Sequence, residues 1–198
     1  MIPPRRRVAL ALGLLAVTLV APKAWAGEPA DQLLAQIDQV VKVLDDPELK
    51  QPAKRQERLQ EIRLVANNLL DYEEITKRSL GRHWQTRTAV ERDEFVQVFG
   101  DLLERAYIGR LETFNGEKIA ILGDAIDGDQ AVVRTKVVTR QGAEIPVDYR
   151  MLRRGDRWRA CDVVIEGISL VANYRAQFDR IIQHTSYQQL VRQVREKQ

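Results

Sequence analysis

The chain has 198 residues, of which 31 are basic and 28 acidic, for a formal net charge of +3. Four of the basic residues and none of the acidic ones lie in residues 1–26, so residues 27–198 hold 27 basic against 28 acidic residues, a net charge of −1. This balance argues against a nucleic-acid partner. The single cysteine, Cys161, allows no disulfide within the sequence, and His83 and His184 lie outside any run of metal-ligand spacing.

The first 26 residues have the three regions of an export signal. The basic segment Arg5–Arg7 precedes an uncharged apolar stretch, Val8–Ala21, and Ala24-Trp25-Ala26 has the small-x-small pattern of a cleavage site. The apolar stretch is too short to stay in a membrane as a spanning helix. We therefore predict a signal peptide over residues 1–26 and a single mature domain over residues 27–198. Two arginines alone do not decide between general and twin-arginine export.

Apolar residues at helical spacing predict three helices before residue 81. Their predicted bounds are Asp31–Leu44, Ala53–Leu70 and Tyr72–Leu80. Gly81 follows the third helix at the position where a glycine commonly ends one. The second helix has an apolar stripe of its own, formed by Leu59, Ile62, Val65, Leu69 and Leu70.

A fourth, longer helix begins at a capping box formed by Thr88 and Glu91. Its apolar stripe includes Phe95, Phe99, Leu103 and Tyr107. Gly100 lies inside this helix, where a glycine costs roughly 1 kcal/mol relative to alanine. We therefore expect another group to approach the backbone closely at Gly100, or the helix to bend there.

From Lys118 onward the residues alternate, and glycine-containing turns separate four runs, which predicts a four-stranded antiparallel meander. One face of its two middle strands is expected to carry an apolar row: Val133, Val137, Val147, Tyr149 and Met151. The facing of the last strand, which begins near Trp158, stays open because both of its rows are partly apolar.

The last strand is expected to turn sharply at Glu166-Gly167 into a helix capped by Ser169. A final helix is predicted from Ser186, with Gln189 completing a capping box. The fold class is therefore α+β, with a helical N-terminal half, the meander and C-terminal helices. The apolar row faces the long helix in this scheme, and periodicity alone does not distinguish a filled core, the simpler interpretation, from a cavity.

Residues with catalytic potential have simpler structural interpretations. The segment around Ser169 lacks the second glycine of a nucleophile elbow, so Ser169 is better explained as a helix cap. Asp148 and Asp162 could act as acid or base groups in a cone-shaped α+β pocket, but the simpler interpretation is that they face outward and pair with the many arginines. Cys161 is expected to be a small core residue.

Two basic clusters are either solvated surface or sites of attraction for an anionic head group or an acidic partner. One cluster surrounds the Gly81 turn and consists of Lys77, Arg78, Arg82, His83 and Arg87. The other occupies one hairpin and consists of Arg150, Arg153, Arg154, Arg157 and Arg159.

Five groups of residues occur together in an order and spacing typical of one family. They are Leu80-Gly81-Arg82-His83-Trp84, Phe95–Leu103 with Tyr107, Val147-Asp148-Tyr149-Arg150, Trp158–Asp162, and Glu166-Gly167-Ile168-Ser169-Leu170 with Asn173-Tyr174-Arg175. Together they resemble the MlaC family of periplasmic phospholipid-binding proteins, also called toluene-tolerance auxiliary components, from about Leu33 to Lys197. One departure is Gln183–Gln189, where a glycine-containing link between helices is expected and His184-Thr185-Ser186 is found.

The resemblance implies a fold that encloses an apolar pocket for phospholipid acyl chains, without catalysis, cofactor or metal. It implies a periplasmic carrier that moves lipid between an outer-membrane lipoprotein–porin complex and an inner-membrane ABC transporter with a ring of MCE domains, and so maintains outer-membrane lipid asymmetry. The residues then predicted to contact lipid are Leu80, Trp84, Phe95, Phe99, Leu103, Tyr107, Val133, Val137, Val147, Tyr149, Met151, Ile168, Val171 and Tyr174.

Two other classes of function stay open at this point. One is an enzyme on a similar cone-shaped fold, in which Asp148 or Asp162 acts together with Tyr149 on a small apolar substrate. The other is an adaptor with a filled core that only bridges membrane complexes. Bound phospholipid, a bound polar metabolite or no bound ligand would distinguish the three classes.

Overall fold

The structure, a computed structural model, describes residues 27–111 and 116–196. The predicted signal peptide, residues 1–26, lies outside the described residues. In the two described ranges, no helix has both the length and the hydrophobicity that crossing a membrane requires.

Six α-helices are found in the described ranges, and the order of helices and strands agrees with the predicted α+β class. They are α1 Glu28–Asp45, α2 Arg55–Leu69, α3 Tyr72–Leu80, α4 Ala89–Leu111, α5 Leu170–His184 and α6 Tyr187–Glu196. The α3 helix has the predicted bounds, and Gly81 follows it with a φ of 54°. The link between α5 and α6 is Thr185-Ser186 and contains no glycine.

Side-chain caps fix several helix starts. Thr88 and Glu91 form the predicted box, with the Glu91 amide 3.2 Å from Thr88 Oγ1 and the Thr88 amide 2.9 Å from Glu91 Oε2. Ser169 Oγ accepts from the Ala172 amide at 3.0 Å, as predicted. Ser186 accepts from the Gln189 amide at 3.1 Å, whereas the Gln189 side chain accepts from Arg192 Nε at 3.1 Å.

The sheet is antiparallel and follows chain order, but it has five strands where four were predicted. They are β1 Lys118–Asp127, β2 Gln130–Val138, β3 Glu144–Arg154, β4 Arg157–Ile165 and β5 Ile168–Ser169. The short β5 arises because Glu166 and Gly167 both have positive φ, 50° and 80°, as in the two-residue turns that suit hairpins. The predicted strand-to-helix corner is therefore a hairpin followed at once by α5.

A bulge explains why the facing of β4 was not evident from its sequence. Arg150 pairs with Asp162 while Met151 pairs with Ala160, so Cys161 is an extra residue in β4. The alternation of β4 therefore changes phase at Cys161. Trp158 and Ala160 are buried before the bulge, and Val163 and Ile165 line the same interior after it.

Apolar side chains of the described residues form three clusters, and α1 rather than α4 covers part of the apolar row of the sheet. Val133 and Met151 of the row belong to a cluster with α1, which consists of Ala30, Leu33, Ile37, Ala131, Val133, Met151 and Trp158. The aromatic stripe of α4 packs instead on α5 and α6, with the Phe99 and Phe178 ring centroids 5.0 Å apart. A third, smaller cluster of Leu44, Leu59 and Ile62 joins α1 to α2.

Candidate functional site

An apolar cavity of about 370 Å³ lies where the α1–α2 pair meets α3, α4 and the β3–β4 end of the sheet. Most of its wall is aliphatic or aromatic. The lining residues are Val40, Ile62, Val65, Ala66, Leu69, Leu70, Tyr72, Ile75, Leu103, Glu104, Tyr107, Val147, Tyr149, Asp162, Val163, Ile165 and Leu170. Two other cavities, of about 460 Å³ each, have arginines in their walls: Arg78 and Arg150 in one, Arg82 and Arg175 in the other.

One wall of this cavity is the apolar stripe of α2. Ile62, Val65, Ala66 and Leu69 recur at three- and four-residue spacing and so lie on one helical face. Ile62 also belongs to the cluster that joins α2 to α1. The α2 helix thus lines the cavity on the same side on which it packs against α1.

The opposite wall is formed by paired residues of two neighbouring strands. Tyr149 pairs with Val163, and Val147 pairs with Ile165, so these four side chains share one face of the sheet. Ile165 is 36% exposed and precedes the β4–β5 turn. The cavity therefore reaches the surface near this turn.

Tyr72 closes the cavity between α3 and α4. A Cβ atom at Gly100 would lie 3.5 Å from Cδ1 of Tyr72, which is an ordinary van der Waals contact. The ring therefore lies beside Gly100, but at a distance that an alanine would also allow, so the close approach predicted there is not required by this contact. Burial, reinforced by the charge of Glu104, raises the pKa of the Tyr72 phenol well above its usual range. Burial also raises the pKa of Tyr149 to about 12, so both phenols are neutral at physiological pH.

The charged groups at the cavity have partners. Glu104 Oε2 lies 2.8 Å from Arg63 Nε, an ion pair that links α4 to α2. The buried Asp162 carboxylate accepts from Ser169 Oγ at 2.6 Å, from the Val171 amide at 3.1 Å and from Arg150 Nη1 at 3.3 Å. Asp162 therefore anchors the start of α5. Its pairing with an arginine was expected, but the expectation that it faces outward was wrong, because the side chain is buried and accepts hydrogen bonds from the start of α5.

The sequence model for the MlaC protein matches residues 35–196, which is most of the chain. The chain belongs to the MlaC family.

Relatives of this MlaC-family chain include a protein named as the intermembrane phospholipid transport system binding protein MlaC of Haemophilus influenzae. The two are 28% identical over 116 residues, 54% of this chain and 54% of the relative. A toluene tolerance protein of Pseudomonas putida is 27% identical over 116 residues, 58% of this chain and 54% of the relative. The chain thus spans about half the length of the curated relatives it matches.

The fold is similar to that of a phospholipid-binding protein from Ralstonia solanacearum, which was solved in complex with a phospholipid. The TM-score is 0.72 at 24% sequence identity, and the match covers 84% of this chain and 94% of the other. At this identity the similarity establishes the fold of the MlaC-family chain.

Four of the fourteen residues predicted to contact lipid line the cavity: Leu103, Tyr107, Val147 and Tyr149. The others lie elsewhere. Six lie in or against the helical cluster: Leu80, Trp84, Phe95, Phe99, Val171 and Tyr174. Val133 and Met151 pack under α1, Val137 is partly buried opposite Ile145, and Ile168 is 67% exposed.

The contribution of α1 and α2 to the cavity wall of this MlaC-family chain was not predicted from the sequence. Val40, Ile62, Val65, Ala66 and Leu69 form much of the wall. The apolar stripe of α2 was visible in the sequence, but its spacing does not indicate whether a helix faces a core or a cavity. We expected the two longest apolar surfaces to face each other, but Phe95 and Phe99 of α4 pack on α5 and α6, and the sheet residue Val133 packs under α1.

Two arginines of the basic hairpin bind groups within the fold although they are partly exposed. Arg154 Nε lies 2.8 Å from Asp71 Oδ2, and Arg154 Nη2 lies 3.6 Å from Glu74 Oε2. Arg159 Nη2 donates to the Asn67 carbonyl at 2.6 Å, near the C-terminus of α2. These contacts hold the β3–β4 hairpin against the α2–α3 junction.

The basic cluster at Gly81 is also partly paired. Arg82 Nη2 and His83 Nε2 lie 2.8 and 2.7 Å from the same oxygen of Asp179, and Arg87 lies over the Tyr187 ring at 4.5 Å.

Burial raises the pKa of the Cys161 thiol, which donates to the Arg150 carbonyl at 3.3 Å. Among residues 27–111 and 116–196, no three His, Cys, Asp or Glu residues form a group able to hold a metal ion.

Proposed function

We propose that this chain is a phospholipid carrier and that the cavity between α2 and the β3–β4 wall binds acyl chains. The single observation that carries the proposal is this largely apolar cavity, open to the surface near Ile165, in a chain of the MlaC family. An adaptor that only bridges other complexes needs no apolar cavity and would have a filled core. The paired state of Asp162 and the raised pKa of Tyr149 favour a carrier over an enzyme that uses them as acid and base.

The energetics of lipid transfer support a protein that encloses the tails. Exposing a methylene group to water costs about 0.8 kcal/mol, so two chains of about fifteen methylenes cost on the order of 20 kcal/mol. Free diffusion of a phospholipid through an aqueous compartment is therefore negligible. The head group is already hydrated and can stay outside the cavity. Neither a reaction nor a nucleotide is needed for the binding itself.

We place the protein in the periplasm, after removal of residues 1–26 as a signal peptide, with residues 27–198 as one lipid-binding domain. The order of basic, apolar and small residues supports this processing. The family resemblance supports the partners: an outer-membrane lipoprotein–porin complex and an inner-membrane ABC transporter with a ring of MCE domains. Lipid carried between them would maintain the asymmetry of the outer membrane.

The residues we propose to contact acyl chains come from the α2 wall, from β3 and from α4. From the predicted set we retain Leu103, Tyr107, Val147 and Tyr149. To these we add the α2 residues Ile62, Val65, Ala66 and Leu69. One wall is thus formed by aliphatic side chains of α2 and the opposing wall by the β3–β4 strand pair. Such apolar walls accept methylene chains without specific hydrogen bonds.

Extraction of the purified protein with organic solvent, followed by mass spectrometry, tests the carrier proposal. We expect phospholipid that accompanies the protein through successive purification steps, because the cavity shields the tails from water. A mock preparation from cells without the gene is the control. A small polar metabolite in the extract would favour an enzyme instead. An extract without ligand, from protein that also takes up none from phospholipid vesicles, would favour the adaptor.

A further inference from the structure

The backbone nitrogen of Gly27, just before α1, faces a carboxylate from the sheet. It lies 3.1 Å from Oδ1 and 3.0 Å from Oδ2 of Asp124 on β1. The Ala30 amide lies 3.4 Å from the same Oδ2. The carboxylate thus joins the start of α1 to a strand 97 residues away.

An ammonium group at this position would bind the carboxylate more strongly than an amide does. An amide hydrogen can be shared between both carboxylate oxygens, as the two distances here allow, but an amide has no net charge. An α-ammonium has three hydrogens and a full positive charge, so it can donate a charge-assisted hydrogen bond to each oxygen. Positive charge is unfavourable at a helix N-terminus, and the carboxylate of Asp124 offsets it there.

A side chain at position 27 would crowd the carboxylate that this nitrogen faces. A Cβ atom there would lie 2.7 Å from Asp124 Oδ2 and 3.2 Å from Ile126 Cδ1. The first distance is too short for a real contact, so the carboxylate or the nitrogen would have to shift, which weakens their contact. Gly27 is also the residue that directly follows the predicted cleavage site.

We infer that signal-peptide cleavage creates the ligand of this site: the α-ammonium of Gly27 binds Asp124 as an ion pair. The ion pair fixes the start of α1 on β1, and α1 covers Val133 and Met151 of the sheet through the fully buried Ala30 and Leu33. The uncleaved chain has only an amide at this position, so its α1 is held less tightly. The inference rests on the proposed processing after Ala26.

Four proteins with defined N-termini test the inference. One pair begins at Gly27, with and without Asp124→Asn, and the other begins at Ala24, again with and without that substitution. With Asp124 present, we expect the chain that begins at Gly27 to melt roughly 2–4 °C above the chain that begins at Ala24. Asp124→Asn should abolish this difference, because the ammonium then has no opposite charge. An equal effect of Asp124→Asn in both chains would overturn the inference and leave Asp124 as a helix cap only.

Two further measurements separate the ion pair from the processing step. Gly27→Ala in the chain that begins at residue 27 should lower the melting temperature, because the side chain crowds the Asp124 carboxylate; no change would count against the site. The intact mass of the exported protein should show cleavage after Ala26. Cleavage elsewhere would overturn the inference for the natural protein, whereas the lipid extraction described above tests the carrier function independently.

Discussion

Replacing Val65 with tryptophan is expected to deplete the bound phospholipid while the protein stays folded. Val65 lies on the α2 wall of the cavity and is 8% exposed. An indole ring there occupies space that we assign to an acyl chain. Displacing about two methylenes at ~0.8 kcal/mol each weakens binding by more than about tenfold. Phospholipid per protein, measured by mass spectrometry, should fall accordingly, while the thermal melt stays cooperative.

The neighbouring residue provides a matched control. Leu64 is also on α2 but is 58% exposed, so Leu64→Trp adds the same ring outside the cavity and should leave the lipid content unchanged. Val147→Trp fills the cavity from the opposite wall and should reproduce the effect of Val65→Trp. In a filled core either cavity substitution would instead overpack, at a cost of typically 1–3 kcal/mol. Wild-type lipid content in both cavity variants would contradict the assignment.

Reversing the charge of Arg154 is expected to destabilise the protein. Its guanidinium lies 2.8 Å from Asp71, whose side chain is 6% exposed and caps α3 through the Glu74 amide. The contact with Asp71 also raises the pKa of Arg154. Arg154→Glu would place a carboxylate beside Asp71 and Glu74. Because Arg154 itself is half exposed, we expect a loss of about 2–3 kcal/mol, or roughly 5–10 °C in melting temperature.

Arg153 is the matched control for this substitution. It lies in the same hairpin, is exposed, and donates from Nε to the Gly155 carbonyl at 3.2 Å. Arg153→Glu makes the same change in net charge and should alter the stability by less than about 0.5 kcal/mol. Equal destabilisation by both variants would show that the net charge, not the contact with Asp71, is responsible. If the hairpin also attracts partners, Arg153→Glu can reveal it without lowering stability, whereas Arg154→Glu cannot.

Helix positions followed from the sequence because their signals are local. Thr88 and Glu91 satisfy each other across one turn, and Gly81 ends α3 with a positive φ that other residues resist. The hairpin that creates β5 was not evident because Glu166 has a positive φ although it is not a glycine. Only Gly167 indicated the turn, and one glycine does not distinguish a corner from a hairpin.

The position of the cavity could not be predicted because an apolar stripe does not specify its partner. Phe95 and Phe99 on α4 were expected to face the sheet, but they pack on α5 and α6, and Val133 packs under α1. The bulge at Cys161 adds a second difficulty, since it moves the later residues of β4 out of phase with the earlier ones. Four predicted residues nevertheless line the cavity, because β3 and the C-terminal part of α4 border it.

Photocrosslinking tests most directly whether acyl chains lie between α2 and the β3–β4 wall. Wild-type protein is loaded with a phosphatidylethanolamine that carries a diazirine near the end of one acyl chain. It is then irradiated, and the adducts are mapped by mass spectrometry of peptides. We predict adducts on the cavity residues of both walls, above all Ile62, Val65 and Val147. Adducts confined to exposed apolar residues outside the cavity, such as Leu122 and Ile126, would contradict the account.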